Sequence, residues 1–479
     1  MTYLLVAALV CERLASVPLA NGTVTAAQTV NAGGMPQFAD LPALCSVAVT
    51  LKPSGDSDIK MQLWLPAANW NGKFQEVGNG AFNGSISLPA MAAALRRGYA
   101  TASTDTGHTG NSGDFALGHP EKVIDFGWRA IHETAVASKA IIEAFYASAA
   151  KQSYFTGCSA GGRQALKEAQ RFPADFDGIV AGAPGLDWTG RAAQAVRVAQ
   201  ATQKTDARLS AADARLLHSA VLGACDALDG VKDGVVDDPT RCTFDPAVLQ
   251  CASEKDSSCL SAAQVRTAKM LYEGRVNPKS KREITGLARG SELGWTENGW
   301  SVSARATGRD QFRFLVFNDP AWDVGAFDFD ADIARAEDVD RDTINALDPN
   351  LLPFIGRGGK LIQYHGWSDP QISPLNSTQY YTRVAQALGG ASKLDSSYRL
   401  FMAPGMAHCG GGDGPNTFDM LAALERWVEQ RTPPDRIVAS HATDGSVDRT
   451  RPLCPYPQVA VYTGSGSTND APSFVCGKR

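Results

Sequence analysis

The sequence predicts an α/β fold interrupted by a large insertion. Three observations carry that prediction. Short apolar runs of strand type alternate with helix-forming stretches up to residue 187 and again from residue 349. Between 188 and 348 the alternation stops. Third, Gly157-x-Ser159-x-Gly161 lies between a strand-like run, 154–156, and a helix-forming run, 164–169.

That third feature organises the chain. Gly-x-Ser-x-Gly on a strand-to-helix turn is a nucleophile elbow, the signature of an α/β-hydrolase fold. The glycines allow a sharp turn and a close helix start. The helix N-terminus offers backbone N–H groups to a developing oxyanion. A serine nucleophile needs a base, and the base an orienting carboxylate, in the chain order Ser, acid, His. Four histidines follow Ser159: His218, His365, His408 and His441. His408 sits in a loop after the strand-like run 398–402, the expected place for the base. Asp369 ends the strand-and-turn run 360–370, the expected place for the acid. Cys158 precedes the serine and Cys409 follows the histidine. A disulfide between them would clamp nucleophile and base together.

The elements follow in order. Runs 46–51, 59–65 and 74–77 read as strands, and the last leads into the glycine-rich loop 78–84. A second oxyanion donor belongs on such a loop. Gly80 N–H is expected to pair with Ala160 N–H in this role, an ordinary Asn-Gly turn being the competing reading. Run 99–103 is a strand, and the nearby His108 is expected to make a structural polar contact. A helix is expected over 135–149 and a strand over 178–184. The insertion opens with helices near 192–202 and 211–222. It then carries Trp295, Trp300, Phe312, Phe314, Phe317 and Trp322, with Arg305, Arg309 and Arg313 nearby. Core packing is the default for each aromatic and surface exposure for each arginine; a few of the aromatics are expected to line a slot for a planar acyl group, and binding of a substrate carboxylate or phenol is the competing reading for one of the arginines. Helices are expected over 376–388 and 417–429. The last places Phe418, Leu421, Leu424 and Trp427 on one face.

Composition narrows the function. The chain has 479 residues, formal net charge −5 and no basic block, which argues against nucleic acid or an anionic membrane as partner. The expected division is hydrolase core 1–187, lid 188–348 and core 349–479. Ten cysteines without a C-x-x-C pair point to disulfides in an oxidising compartment. In 225–238, alternating Asp and Gly suit either Ca²⁺ or a solvated acidic loop.

The run Gly157-Cys158-Ser159-Ala160-Gly161-Gly162, with Asp369 and His408-Cys409, resembles the tannase and feruloyl esterase family, which also includes mono(2-hydroxyethyl) terephthalate hydrolase. The resemblance spans nearly the whole chain. It implies disulfides Cys11–Cys45, Cys158–Cys409, Cys225–Cys242, Cys251–Cys259 and Cys454–Cys476. It also implies a structural Ca²⁺ held by Asp226, Asp229, Asp233 and the carbonyls of Val231 and Val235. The apolar start, 2–10, reads as a signal remnant, a lipoprotein-like start or the first buried element. The last is favoured because Cys11 has a use in the family pattern. The expected function is a secreted or periplasmic serine esterase without organic cofactor. Its substrate would be a small ester of a hydroxylated aromatic acid, free or attached to plant cell-wall carbohydrate. The acyl group would be feruloyl, caffeoyl, p-coumaroyl or galloyl. The alternatives are a terephthalate monoester or gallate ester hydrolase, and an inactive ligand-binding hydrolase fold.

Overall fold

Strand chemistry sets the sheet. Ala100–Thr104 and Gly178–Gly182 are buried along their whole length, as strands covered on both faces must be. In the computed structural model, which describes residues 10–278, 280–296 and 303–478, the chain divides into two compact units. One comprises 1–181 and 343–360, the other 182–342 and 361–479. The second unit groups the expected insertion with the segment 361–479. The apolar start at 2–9 and Trp300 lie outside the described residues.

The first unit holds β1 (Gly22–Val30), β2 (Leu44–Leu51), β3 (Ile59–Pro66), β4 (Lys73–Val77), β5 (Ala100–Thr104), β6 (Gln152–Cys158) and β7 (Gly178–Gly182), in the order 1-2-3-5-4-6-7. β1, β2, β3 and β5 pair antiparallel, while β4 runs parallel to both β5 and β6. Its α-helices include α1 (Leu88–Arg96), the short α2 (Pro120–Ile124), α3 (Ala130–Tyr146) and α4 (Ala160–Arg171). α3 begins five residues before the expected start, because a π turn over Asp125–Arg129 feeds directly into it. It stops at Ala147, whose φ of 52° breaks the helix. β1 is unexpected. Its Thr, Ala and Gln residues leave both faces largely exposed, and a register shift at Val24/Ala26 marks it as an edge strand. Cys11–Cys45 ties the preceding turn to β2.

The second unit opens with α5 (Trp188–Ala201), α6 (Ala211–Cys225) and α7 (Ala262–Tyr272). Ser210 with Asp213, and Ser261 with Gln264, form capping boxes that start α6 and α7. A two-residue pair, β8 (Arg275–Val276) and β9 (Glu283–Ile284), precedes α8 (Ser303–Asp310) and α9 (Phe329–Asp340). Trp295 packs with Leu217, Val221 and Leu271; Phe312, Trp322 and Phe327 build a neighbouring core against α5. Beyond the insertion, β10 (Lys360–Gly366) and β11 (Tyr398–Ala403) pair in parallel, with the helix Leu375–Ala387 between them. The last long helix is Met420–Gln430, not 417–429. Asp419 caps it through Ala422 N–H, and Thr417 is held outside by pairing with Ser440. Phe418 therefore lies before the helix and packs edge-on against Tyr364. Cys454–Cys476 ties the closing hairpin.

Candidate active site

The candidate nucleophile is held in an unusual backbone state. Ser159 has φ 64° and ψ −120°, a conformation that L residues rarely adopt and that surrounding structure must impose. The imposing contacts come from glycines. A Cβ at Gly157 would sit 2.5 Å from the Gly161 carbonyl, and one at Gly161 3.0 Å from Asn79 O. Only hydrogens fit there, so β6 can turn straight into α4 and α4 can touch the loop after β4. Ala160 is the first residue of α4, where backbone N–H groups lack helical partners.

The loop carrying Gly80 is locked to α4 by a pair of side chains that sequence reasoning missed. Asn79 N–H donates to Gln164 Oε1 at 3.0 Å, and Gln164 Nε2 donates back to Asn79 Oδ1 at 3.3 Å. Asn79 Nδ2 also donates to Thr104 O at 2.7 Å. Gly80 thus lies on a loop that touches the first turn of the helix that Ala160 begins. A Cβ at Gly80 would meet no atom within 4 Å, so the residue borders open space. His108 has the structural role expected of it. It is buried, stacks on Phe115 and contacts Phe82 O at 2.8 Å.

In the second unit, Asp369 is 0 % exposed, and His408 Nδ1 donates to its Oδ2 at 2.7 Å. Its other oxygen accepts from Gln371 N–H at 2.7 Å and Ile372 N–H at 2.9 Å. Burial alone would raise the Asp369 pKa. The charge of His408 and the hydrogen bonds of His365 and His408 outweigh it and hold the carboxyl well below the usual range. Two further residues missed at the sequence level shape this pair. His365 contacts Asp369 Oδ2 through Nε2 at 3.1 Å. Gly366 ends β10 against the backbone of the His408 loop, where a Cβ would overlap the Met406 carbonyl oxygen. That loop turns through positive φ at Gly405, Cys409, Gly411 and Gly412. Arg191 of α5 braces the Asp369 turn, donating Nε to Gln371 O at 3.1 Å and Nη1 to Thr307 at 3.1 Å. Burial lowers its pKa to about 10, opposed by the Asp369 charge.

The cysteines are all oxidised. Cys11–Cys45, Cys225–Cys242, Cys251–Cys259 and Cys454–Cys476 are paired as the resemblance implies. Cys158 and Cys409 are each disulfide-bonded as well, and no cysteine is free. Among the aromatics, Trp295, Phe312 and Trp322 are core. Arg309 pairs with Asp310, and Arg313 donates to Trp322 O. The side chain of Arg305 lies outside the described residues.

The acidic loop offers the hard oxygen donors a calcium ion prefers. Asp226 is buried and accepts from Asp233 and Gly234 N–H at 3.0 and 3.1 Å. Asp229 accepts from Val231 N–H at 2.9 Å. Gly230 and Gly234, at φ 90° and 78°, supply the tight turns. Asp229, Asp233, Val235 and Asp237 line one small cavity with Arg449 and Arg451, and Arg451 contacts Asp233 at 2.5 Å. A carboxylate accepts several bonds, so the donor set fits a hard cation, with Asp233 shared with arginine.

Comparison with known proteins gives a consistent answer. The family model described as tannase and feruloyl esterase matches residues 45–477. An uncharacterized esterase of Xanthomonas campestris pv. campestris is 38% identical, over 97% of this chain and 91% of that protein. The mono(2-hydroxyethyl) terephthalate hydrolase of Piscinibacter sakaiensis is 37% identical, over 91% of this chain and 85% of that protein. The crystal structure of feruloyl esterase B from Aspergillus oryzae superposes with a TM-score of 0.91 at 32% identity, covering 98% of this chain and 99% of that one.

Proposed function

The chain belongs to the tannase and feruloyl esterase family and is a carboxylic ester hydrolase, and from that premise we propose a Ser-His-Asp acyl-enzyme mechanism on esters of hydroxylated aromatic acids. The observation that carries the proposal is the 2.7 Å bond from His408 Nδ1 to buried, ionised Asp369, in a chain whose Ser159 occupies a strained elbow. With Nδ1–H directed to Asp369, the base form of His408 has its lone pair on Nε2. His408 takes the Ser159 proton as Oγ attacks the ester carbonyl. Asp369 holds the tautomer and stabilises the imidazolium. The N–H groups of Gly80 and Ala160 bind the oxyanion, each contributing about 3 kcal/mol. His408 then protonates the leaving alcohol, and water releases the acid by the reverse sequence.

Cys158 and Cys409, flanking nucleophile and base, form the bridge that keeps the two segments together in this reading. Full oxidation of the cysteines supports a secreted or periplasmic location. Asp226, Asp229, Asp233 and the Val231 and Val235 carbonyls would hold a structural Ca²⁺, which supplies loop stability and no chemistry. Chelation should lower Tm, and added Ca²⁺ but not Mg²⁺ should restore it; an unchanged Tm would remove the metal from this account. The substrate is a small aromatic ester, free or carried by plant cell-wall carbohydrate. The 37% identity to a terephthalate monoester hydrolase favours that ester as the second reading. Comparing kcat/KM on methyl ferulate, methyl gallate and the terephthalate monoester separates the two. Ser159→Ala should abolish turnover of all three, and retained activity would refute the nucleophile.

A further inference from the structure

Asp369 carries two imidazoles on one oxygen. Oδ2 contacts His408 Nδ1 at 2.7 Å and His365 Nε2 at 3.1 Å, while Oδ1 accepts two backbone N–H groups. A carboxylate offers about four acceptor positions, so this one is fully used and its orientation is over-determined. The second imidazole is no surface accident: His365 is 0 % exposed, on β10 four residues before the aspartate.

Its neighbours assign its proton. Nε2 faces Asp369 Oδ2 and also Ile372 O at 3.2 Å, both acceptors of a proton, so Nε2 must carry the hydrogen. Nδ1 lies 2.7 Å from Ser377 Oγ, whose hydroxyl can donate to it. Ser377 is buried on the helix Leu375–Ala387 and fixes the far side of the ring. The neutral ring with hydrogen on Nε2 satisfies every one of these contacts. It donates to the carboxylate without cancelling its charge.

We propose, building on the Ser-His-Asp reading, that His365 is a positioning residue that tunes the base through Asp369. Its N–H draws electron density from the oxygen that also binds His408. That share weakens the pull of Asp369 on the His408 proton. The hydrogen bond also holds the carboxylate in one rotamer, with Oδ2 facing the base. Removing the donor therefore has two effects: the acid limb of activity moves to higher pH, and kcat falls because the base is less well aligned.

The test compares His365→Leu, His365→Gln and Ser377→Ala with wild type on p-nitrophenyl acetate, across the pH range of kcat and kcat/KM. His365→Leu should lower kcat between about tenfold and about a hundredfold, with KM changed less than about threefold. The acid limb of kcat/KM should move to higher pH. His365→Gln, which can place an amide N–H near the Nε2 position, should recover most of the rate and the wild-type limb. Ser377→Ala, which preserves the imidazole and packs well in a helix, should shift the limb in the same direction by less. Leu and Gln variants equally impaired with an unmoved limb, or a Leu variant indistinguishable from wild type, would overturn the inference. If His365→Leu does not fold, an unmoved limb in Ser377→Ala overturns it. Asp369→Asn separates this from the parent reading. A fully active Asp369→Asn sinks the triad itself, whereas an inactive Asp369→Asn beside an unaffected His365→Leu sinks only the role of His365.

Discussion

Gly366 and the Met406 carbonyl are packed so closely that no Cβ fits between them. The contact lets the His408 loop lie across the end of β10, three residues before Asp369. Trp367 N–H and Ser368 N–H seal it, donating to Ala403 O at 2.9 Å and Met406 O at 3.0 Å. Gly366→Ala should push the loop outward. We expect a loss of about 1–3 kcal/mol in stability from overpacking, and a fall in kcat of about a hundredfold from misplacing the base. Denaturant unfolding and steady-state kinetics on one preparation check both.

The Asn79–Gln164 pair makes a second prediction. Gln164→Leu leaves the buried Asn79 N–H without its acceptor, at a cost of about 1–3 kcal/mol. If the Gly80 loop supplies an oxyanion donor, kcat should fall about tenfold or more while KM stays nearly constant. A KM rise at constant kcat would instead assign the loop to substrate binding.

Glu76 and Glu168 lie buried in the first unit; the Glu76 carboxyl has no hydrogen-bond partner among the described residues, and Glu168 lies beside the Asp175 carboxyl. Burial raises both pKa values well above 4.5. The charge of Glu168 adds to it at Glu76, that of Asp175 adds at both, and Lys139 opposes. A raised pKa in the folded state means that stability is full below 4.5 and falls as pH climbs toward the folded value. Glu168→Gln keeps the shape and removes that loss. Its Tm should match wild type near pH 4 and exceed it increasingly toward pH 8, measurable by calorimetry.

His218 runs on the same sign for a different reason. Burial lowers its pKa, but Glu292 at 2.8 Å and the charge of Asp413, 3.5 Å from Nε2, raise it above 6.5 overall. Tyr272 and Arg289 complete the charged surroundings, Tyr272 donating to Glu292 at 2.7 Å. The stabilisation is full below 6.5 and is lost as pH rises through the raised value. His218→Gln should flatten the stability profile over that interval. An NMR titration of His218 that gives a pKa below 6.5 would reverse the assignment.

Much of this arrangement is legible in the sequence because it is local. Ser159 is marked by its glycines, and Asp369 and His408 each follow a strand run rich in apolar residues. β1 is illegible because an edge strand needs no buried face, so its alternation carries no apolar signal. The start of the last helix is obscured by Thr417 and Phe418, which continue the helical pattern but are claimed by Ser440 and Tyr364. His365 and Gly366 depend on what a distant loop places beside them. A buried histidine in a strand reads as core until the carboxylate four residues on folds back to meet it.

The oxidation pattern has a consequence for production. Four bridges join cysteines that are immediate neighbours in sequence, spanning 34, 17, 8 and 22 residues. Thiols joined strictly in order of emergence from a translocation pore would give Cys11–Cys45 and Cys454–Cys476 but would pair Cys158 with Cys225 before Cys409, its partner in the proposed reading, exists, and so would displace Cys225–Cys242 and Cys251–Cys259. Hosts that export the chain without a disulfide isomerase should therefore accumulate protein cross-linked wrongly beside the serine, and co-expressed isomerase should raise the active fraction more than the total yield.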